Sequence, residues 1–222
     1  MSALMQFLSE RGGEILEALG QHIYLTVVAM ALAIAVSVPL GLLLTRLPRV
    51  AANIVITVVG IVQTLPSLAL VGLMVPLLGA GPKGCITALF LYALLPIVRN
   101  TYTGILNVDP ATLEAARGMG MTSAQIMLKI EMPLSVPVIM AGVRTSTIIC
   151  VGVATLGGIV GAGGLGELIW IGIDRSSDAL IYAGALPAMG LALVLDGILA
   201  LSERLLMPAG LRTASEAAQA AA

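Results

Sequence analysis

The sequence predicts an all-α membrane protein, a polytopic helix bundle of about five transmembrane helices. Hydrophobic residues make up 59% of the 222 residues and charged residues only 10%, and the mean hydropathy is +1.06. A soluble domain has roughly 45–50% apolar and about 25% charged residues, so this chain has too few polar side chains to cover itself in water. Several uncharged stretches also reach the ~20 residues that cross a hydrocarbon core.

Two uncharged stretches open the chain. The first, Ile23 to Leu44, spans ~33 Å as a helix, which is enough for one crossing. The second, Ala51 to Leu78, contains Pro66 and Pro76 and is longer than one crossing needs. Because proline removes a backbone donor, we interpret this stretch as one kinked and tilted span, with two separate crossings as the alternative.

Three further spans follow. The stretch from Cys85 to Val98 is too short to cross alone, so the third span is expected to continue past Arg99 toward Leu106. The fourth span is predicted over residues 134–160 and the fifth over residues 179–201. No linker or repeat divides these spans.

The chain is therefore expected to form one membrane domain over residues 1–212. Its tail, residues 213–222, is small and polar and is expected to be disordered.

The distribution of Lys and Arg predicts the orientation, because cytoplasmic loops are enriched in these residues. With five spans, eight fall on one side and three on the other, as the printed sequence shows: Arg46, Arg49, Arg99, Arg117, Lys129, Arg144, Arg204 and Arg212, against Arg11, Lys83 and Arg175. The N-terminus is then outside and the C-terminus cytoplasmic. Six spans would give seven against four, and residues 107–131 face the cytoplasm either way.

Composition and spacing argue against several functions. A net charge of -1 without a basic run indicates no nucleic-acid partner. Cys85 and Cys150 lie far apart in apolar surroundings, which is neither a disulfide framework nor a metal-ligand spacing, so we interpret both as small buried hydrophobes. His22 has no second histidine or cysteine nearby, and an interfacial position is expected. We expect no metal and no catalytic residue.

The polar segment from Asn107 to Glu131 has the signals of ordered structure. Asp109 followed by Pro110 is typical of an N-cap with proline at the first helical position. We expect this helix to end at Gly118 or Gly120.

A second helix should begin immediately afterwards. Thr122-Ser123-Ala124-Gln125 matches a capping box, and Pro133 is expected to bound this helix. The sequence therefore predicts two short helices, tethered at both ends to membrane spans and suited to docking another protein.

Seven residues in and just after this segment resemble the EAA motif of ABC importer permeases: Glu114, Ala115, Ala116, Gly120, Ile130, Met132 and Pro133. The family pattern has leucine where this chain has Met132, a swap that conserves volume. The resemblance implies a type I-like importer fold in which residues 107–133, the coupling loop, sit in a cleft of an ATPase subunit. It also implies that Glu114 is a polar contact, that Ala115 and Ala116 are close-packing positions, and that Gly120 is the turn between the helices.

Two further stretches narrow the resemblance. Residues 96–104, PIVRNTYTG, and residues 161–166, GAGGLG, are similar to permeases for glycine betaine, carnitine and choline, and the likeness covers essentially the whole chain. The second stretch is shared with importers of methionine and other small solutes. The resemblance implies an osmoprotectant permease, with a permease for methionine or another small solute as the alternative.

The glycines of residues 161–166, the glycine turn, formally satisfy Gly-x-Gly-x-x-Gly. A dinucleotide site would need a soluble βαβ unit around them. We instead expect an apolar turn on the outer side that serves either as part of a gate or in helix packing. The residues concerned are Gly161, Gly163, Gly164 and Gly166.

Ionisable residues inside predicted spans are functional candidates by default. Arg144 and Asp196 are expected to pair with each other or with Arg99 and to stabilise the bundle. In the alternative hypothesis, an ion-coupled secondary transporter, Arg144 and Asp196 would form a relay.

Missing motifs predict the partners. The chain has no Gly-x-x-x-x-Gly-Lys-Ser/Thr motif, so ATP and Mg are expected on a separate ATPase subunit. Aromatic cages hold quaternary ammonium groups, yet there are only one Trp, four Tyr and two Phe, so an extracytoplasmic binding protein is expected to select the solute. The remaining expected partners are a second permease copy or paralogue and the lipid of a bacterial inner membrane.

Overall fold

The computed structural model describes residues 11–207, and this part of the chain is helical with no strand. Its α-helices are α1 (Gly12–Leu44), α2 (Arg49–Thr64), α3 (Ser67–Leu78), α4 (Pro82–Leu106), α5 (Pro110–Gly118), α6 (Ser123–Ile126), α7 (Met132–Ala154), α8 (Leu165–Asp174) and α9 (Asp178–Leu206). A π-helical segment, Met127–Glu131, precedes α7, and a 3₁₀ segment, Thr155–Val160, follows it. The tail predicted to be disordered lies outside the described residues.

The first span is part of a longer helix than the uncharged stretch indicated. Helix α1 has 33 residues and ends at Leu44, as predicted, but it begins at Gly12 rather than near Ile23. The preceding turns contain Glu14, Glu17 and Ala18, all compatible with a helix. The absence of charge marked the apolar part of α1 and could not mark its polar extension.

The stretch of residues 51–78 is bent much more sharply than a kinked span would require. The structure has two helices, α2 and α3, whose axes differ by 94°. The break falls at Leu65 and Pro66, whose ψ angles of 138° and 136° are extended, because a residue before proline is driven out of the helical region. Pro76 lies inside α3 and does not interrupt it.

Four helical segments are long and apolar enough to cross a membrane, and the bent α2–α3 pair makes five if it counts as one span. The third span continues to Leu106 as predicted. The fourth reaches Val160 through the 3₁₀ segment, and the fifth is α9. The sequence analysis does not predict α8, a ten-residue helix that begins within the glycine turn and precedes α9.

Helices α1, α4 and α7 form the centre of the molecule. Their buried core includes Leu25, Ala33, Leu89, Ile97 and Ala154 together with Cys85 and Cys150, which confirms that both cysteines are buried apolar residues. The three helices approach closely where glycines face a neighbour. A Cβ at Gly41 would lie 2.6 Å from Thr101 Cβ, and one at Gly142 would lie 2.7 Å from the Pro96 oxygen.

The remaining helices pack around this three-helix centre. Helices α2 and α3 lie against α4, and α9 lies against α7 and α8. Only 17% of the apolar window of α9 is buried, which fits a helix that contacts lipid along much of its length. The coupling loop and the end of α9 lie at one end of the bundle, where Leu128, Met132 and Leu206 line a common apolar cavity of about 460 Å³.

Candidate functional site: the coupling loop and the glycine turn

Helix α5 begins as the sequence predicts. The Asp109 side chain accepts a hydrogen bond from the Ala111 N–H at 3.1 Å and one from the Thr112 hydroxyl at 3.2 Å, while Pro110 occupies the first turn. Asp109 is thus an N-cap that satisfies one of the free donors of the helix. This cap fixes where the chain leaves α4 and starts the coupling loop.

The EAA residues occupy two faces of α5. Glu114 and Ala115 are exposed, whereas Ala116 is only 1% exposed. Within this chain, Ala116 is therefore the packed alanine, while Ala115 and Glu114 form a small exposed face that a partner could approach closely. Gly120 follows α5 with φ at 78°, in the left-handed region that favours glycine.

A capping box opens the second helix, as predicted. The Thr122 hydroxyl accepts from the Gln125 N–H at 3.3 Å, and the Gln125 side chain accepts from the Thr122 N–H at 2.8 Å. These reciprocal bonds hold residues 122–125 in place without any distant partner.

The expectation that Pro133 ends this helix is wrong. Helix α6 continues through the π segment into α7, and Pro133 lies in the first turn of α7. The π segment shifts the hydrogen bonding, with the Met132 N–H bonded to the Met127 oxygen, and such wide turns accommodate an interruption that would otherwise kink a helix. Ile130 and Pro133 are both half-buried. The second half of the coupling loop is consequently continuous with the fourth span.

The glycine turn lies at the opposite end of α7. Gly161, Gly163 and Gly164 have φ angles of 70°, 76° and 82°, which side chains rarely adopt. A Cβ at Gly166 would overlap the backbone oxygen of Thr155, so this glycine is required by close approach rather than by its φ angle.

Long-range contacts hold the glycine turn against α1. The Gly164 N–H donates to the Gln21 side chain at 2.8 Å. His22, for which an interfacial position is predicted, is fully buried within the protein, with Nε2 3.1 Å from the Val151 oxygen of α7. Gly164 of the glycine turn lies against this ring, since a Cβ there would be 3.2 Å from Nδ1.

The described residues contain no group of three or more His, Cys, Asp or Glu side chains that could hold a metal ion. Three carboxylates, Glu14, Glu17 and Glu167, do line a recess of about 230 Å³ beside Gln21 and Gly164. This recess at the turn end of the bundle is thus acidic.

Residues 37–207 match the family described as "Binding-protein-dependent transport system inner membrane component". This chain belongs to that family. It is therefore a transport component, the permease subunit of an ABC transporter, and a multi-pass membrane protein.

Named relatives cover nearly the whole permease. It is 47% identical over 216 residues, 97% of this chain and 99% of the relative, to the glycine betaine/carnitine/choline transport system permease protein OpuCB of Bacillus subtilis. It is 40% identical over 213 residues, 94% of this chain and 99% of the relative, to the osmoprotectant import permease protein OsmW of Salmonella typhimurium.

The fold is also that of solved importers. A chain of the inward-facing MetNI methionine ABC transporter matches with a TM-score of 0.80 at 22% identity, covering 90% of this chain and 99% of that chain. At this level of identity the likeness shows a shared fold.

The permease contains an ion pair that sequence reasoning missed. Arg46, just beyond α1, lies 2.5 Å from the carboxylate of Glu131, the last residue of the π segment. Glu131 is 6% exposed, whereas the Arg46 side chain is 43% exposed, so a buried carboxylate is paired with a cation at the protein surface. Both residues stand next to predicted spans at the same end, which is a signal that could have suggested the contact. Their separation of 85 positions in the sequence hides the contact from any local pattern.

A second charged network joins α7 to α9. Two nitrogens of Arg144 donate to the two carboxylate oxygens of Asp196 at 2.8 and 2.9 Å, and Glu203 lies 3.5 Å from the same guanidinium. Arg99 does not join this network. Its side chain is exposed, and it forms no ion pair with any residue from 11 to 207. The network ties α9 to the three-helix centre through charge-assisted bonds.

Proposed function

We propose that this chain is the permease subunit of a binding-protein-dependent ABC importer for quaternary ammonium osmoprotectants such as glycine betaine, carnitine or choline. The names of relatives that match almost end to end support this solute class. The methionine transporter, at 22% identity, supports only the fold. An extracytoplasmic binding protein selects the solute and delivers it to the acidic end of the bundle.

The observation that carries the proposal is the capped coupling loop. Its two helix starts are fixed by side chains of the loop itself, and Glu114 and Ala115 are exposed between them. A rigid, exposed segment that is continuous with a membrane span can pass a partner's movement on to that span, whereas a flexible loop would deform instead. We assign this face to an ATPase subunit that binds ATP and Mg.

The coupling end faces the cytoplasm in this proposal, with the N-terminus outside and the C-terminus inside. Basic residues at that end support the orientation through the positive-inside rule; among the described residues these are Arg46, Arg49, Arg117, Lys129 and Arg204. The membrane is then a bacterial inner membrane, in line with the family description.

Two permeases, either two copies or one copy with a paralogue, enclose the solute path. ATPase subunits that close on the two coupling loops move each α7 and thereby alternate access between the two sides of the membrane. Hydrolysis of ATP takes place on the partner, and the permease supplies the path and the coupling.

Purification of the assembled complex tests the docking assignment. Glu114→Arg places a bulky cation on the exposed face of α5, and co-purified ATPase should fall about tenfold or more, as for an interface residue worth over about 1.4 kcal/mol. Glu167→Arg, an exposed carboxylate at the other end, is the matched control and should leave the yield of ATPase unchanged. Equal yields for the two variants would contradict the assignment.

Uptake in proteoliposomes tests the solute class. The complex with its binding protein should accumulate radiolabelled glycine betaine, carnitine or choline in an ATP-dependent manner. Uptake of methionine with none of the three would contradict the osmoprotectant assignment and leave the permease assignment intact.

A further inference from the structure

Helix α1 carries a polar contact with the rest of the molecule at each end. At the coupling end, Arg46 follows α1 and is paired with Glu131. At the turn end, the Gln21 side chain accepts from the Gly164 N–H, and the neighbouring His22 contacts the Val151 oxygen. Both sets of contacts reach the same partner, the segment that runs from the coupling loop through α7 to the glycine turn.

These contacts are separated by the full thickness of the bundle. From Gln21 to Leu44, two residues before Arg46, the continuous helix α1 rises ~35 Å. Pro39 lies within α1 without interrupting it, and Gly41 packs directly on Thr101 of α4. Because α1 is uninterrupted and packed along its length, we expect it to move as a rigid body.

The Arg46–Glu131 contact sits where α7 is least regular. Glu131 ends the π segment, and such segments are less stable than α-helix and concentrate at functional positions. The Glu131 backbone oxygen also accepts from the Ser135 hydroxyl at 2.7 Å, so the residue is held from both sides. Because a buried carboxylate is strongly destabilised without its cation, Glu131 and Arg46 move together when the loop moves.

We propose that Arg46 and Glu131 are a positioning pair that fastens α1 to the coupling loop, so that α1 and α7 move as one body and the movement reaches the glycine turn from both helices. Without the pair, movement of the coupling loop bends the π segment and does not reach the glycine turn. Helix α1 then stays in place and holds the turn through the Gln21–Gly164 hydrogen bond. The inference rests on the proposed function, since it needs the coupling loop to be driven by an ATPase.

Four variants of the reconstituted complex test this pair: Arg46→Gln, Glu131→Gln, the exchange Arg46→Glu with Glu131→Arg, and Arg49→Gln as the matched control. Arg49 is an exposed cation three residues beyond Arg46 and forms no ion pair among residues 11–207. The readouts are co-purified ATPase, ATP hydrolysis, and radiolabelled glycine betaine transported per ATP hydrolysed.

Both single variants are expected to assemble with the ATPase and to hydrolyse ATP, while solute transported per ATP falls about tenfold, within the usual range of coupling between sites. The exchanged pair should recover most of that ratio, and Arg49→Gln should keep it. A purely structural pair would lower assembly and hydrolysis together with transport.

Three results would overturn the inference: single variants that keep the ratio, single variants that no longer assemble, or an exchanged pair that assembles but is as impaired as either single variant. Failure of the proposed function looks different, because the unsubstituted complex would then show no ATP-dependent uptake at all.

Discussion

The coupling loop and the glycine turn lie at opposite ends of α7 and are stabilised in opposite ways. The two helix starts of the coupling loop depend on side chains close in sequence, the Asp109 cap and the Thr122–Gln125 box. The glycine turn depends on glycines that pack too closely for a side chain to fit. It also depends on the hydrogen bond between the Gly164 N–H and the side chain of Gln21, 143 residues away. The first region can therefore change its exposed face to suit a partner, whereas the second tolerates almost no added volume.

The sharpest test of this comparison is Gly166→Ala in the glycine turn. The new methyl group would overlap the Thr155 carbonyl, and backbone on both sides prevents relaxation. We expect a loss of about 3 kcal/mol or more, at or beyond the upper end for overpacking, seen as a lower thermal midpoint or as loss of folded protein in detergent. Gly152→Ala in α7, where nothing lies within 4 Å, is the control. An unchanged midpoint for Gly166→Ala would contradict the packing described for this turn.

A smaller effect is expected for Gly120→Ala in the coupling loop. Nothing lies within 4 Å of a Cβ there, so the cost comes only from the positive φ of 78°, about 1–2 kcal/mol. Gly118→Ala is the matched control, since Gly118 is helical and equally open and alanine should be neutral or slightly stabilising there. Thermal unfolding of both variants measures the difference, and equal midpoints would show that the turn relaxes freely.

The smallest effect is expected for Asp109→Ala. Loss of this N-cap should cost about 1 kcal/mol and act locally, so hydrogen exchange should increase in α5 while the glycine turn stays protected. Asp109→Asn keeps an acceptor and serves as the control. Increased exchange at both ends of α7 would contradict the separation of the two regions.

The same difference explains what the sequence could predict. The caps at Asp109 and Thr122 and the end of α4 at Leu106 rest on neighbouring residues and are confirmed. The Arg46–Glu131 pair and the burial of His22 depend on partners far away along the chain. A kink at Pro66 is predicted from the proline itself, but the sequence does not give its size of 94°. Helix α8 was missed because its ten residues are too few to cross a membrane and lie next to a glycine-rich stretch that reads as irregular.

Pro133 shows how a local rule fails. Proline disfavours a helix through itself, which predicted a boundary. The structure instead widens the turn before it into a π segment, and the helix continues. The residues around Pro133 do not distinguish a helix boundary from a continued helix. Continuation is favoured by the membrane-spanning part of α7, which lies further along the chain.

The elbow between α2 and α3 frees backbone groups that lipid cannot satisfy. One of these groups is satisfied from α4, where the Tyr92 hydroxyl donates to the Leu65 oxygen. The Gln63 side-chain amide, at the end of α2, donates to the Tyr92 backbone oxygen at 2.9 Å. These two side chains tie the corner to α4. If α2 and α3 move away from α4 to admit a solute, the Leu65 carbonyl loses its hydrogen bond to Tyr92. Water or a polar group of the solute must then replace that bond, since the carbonyl would otherwise face hydrocarbon.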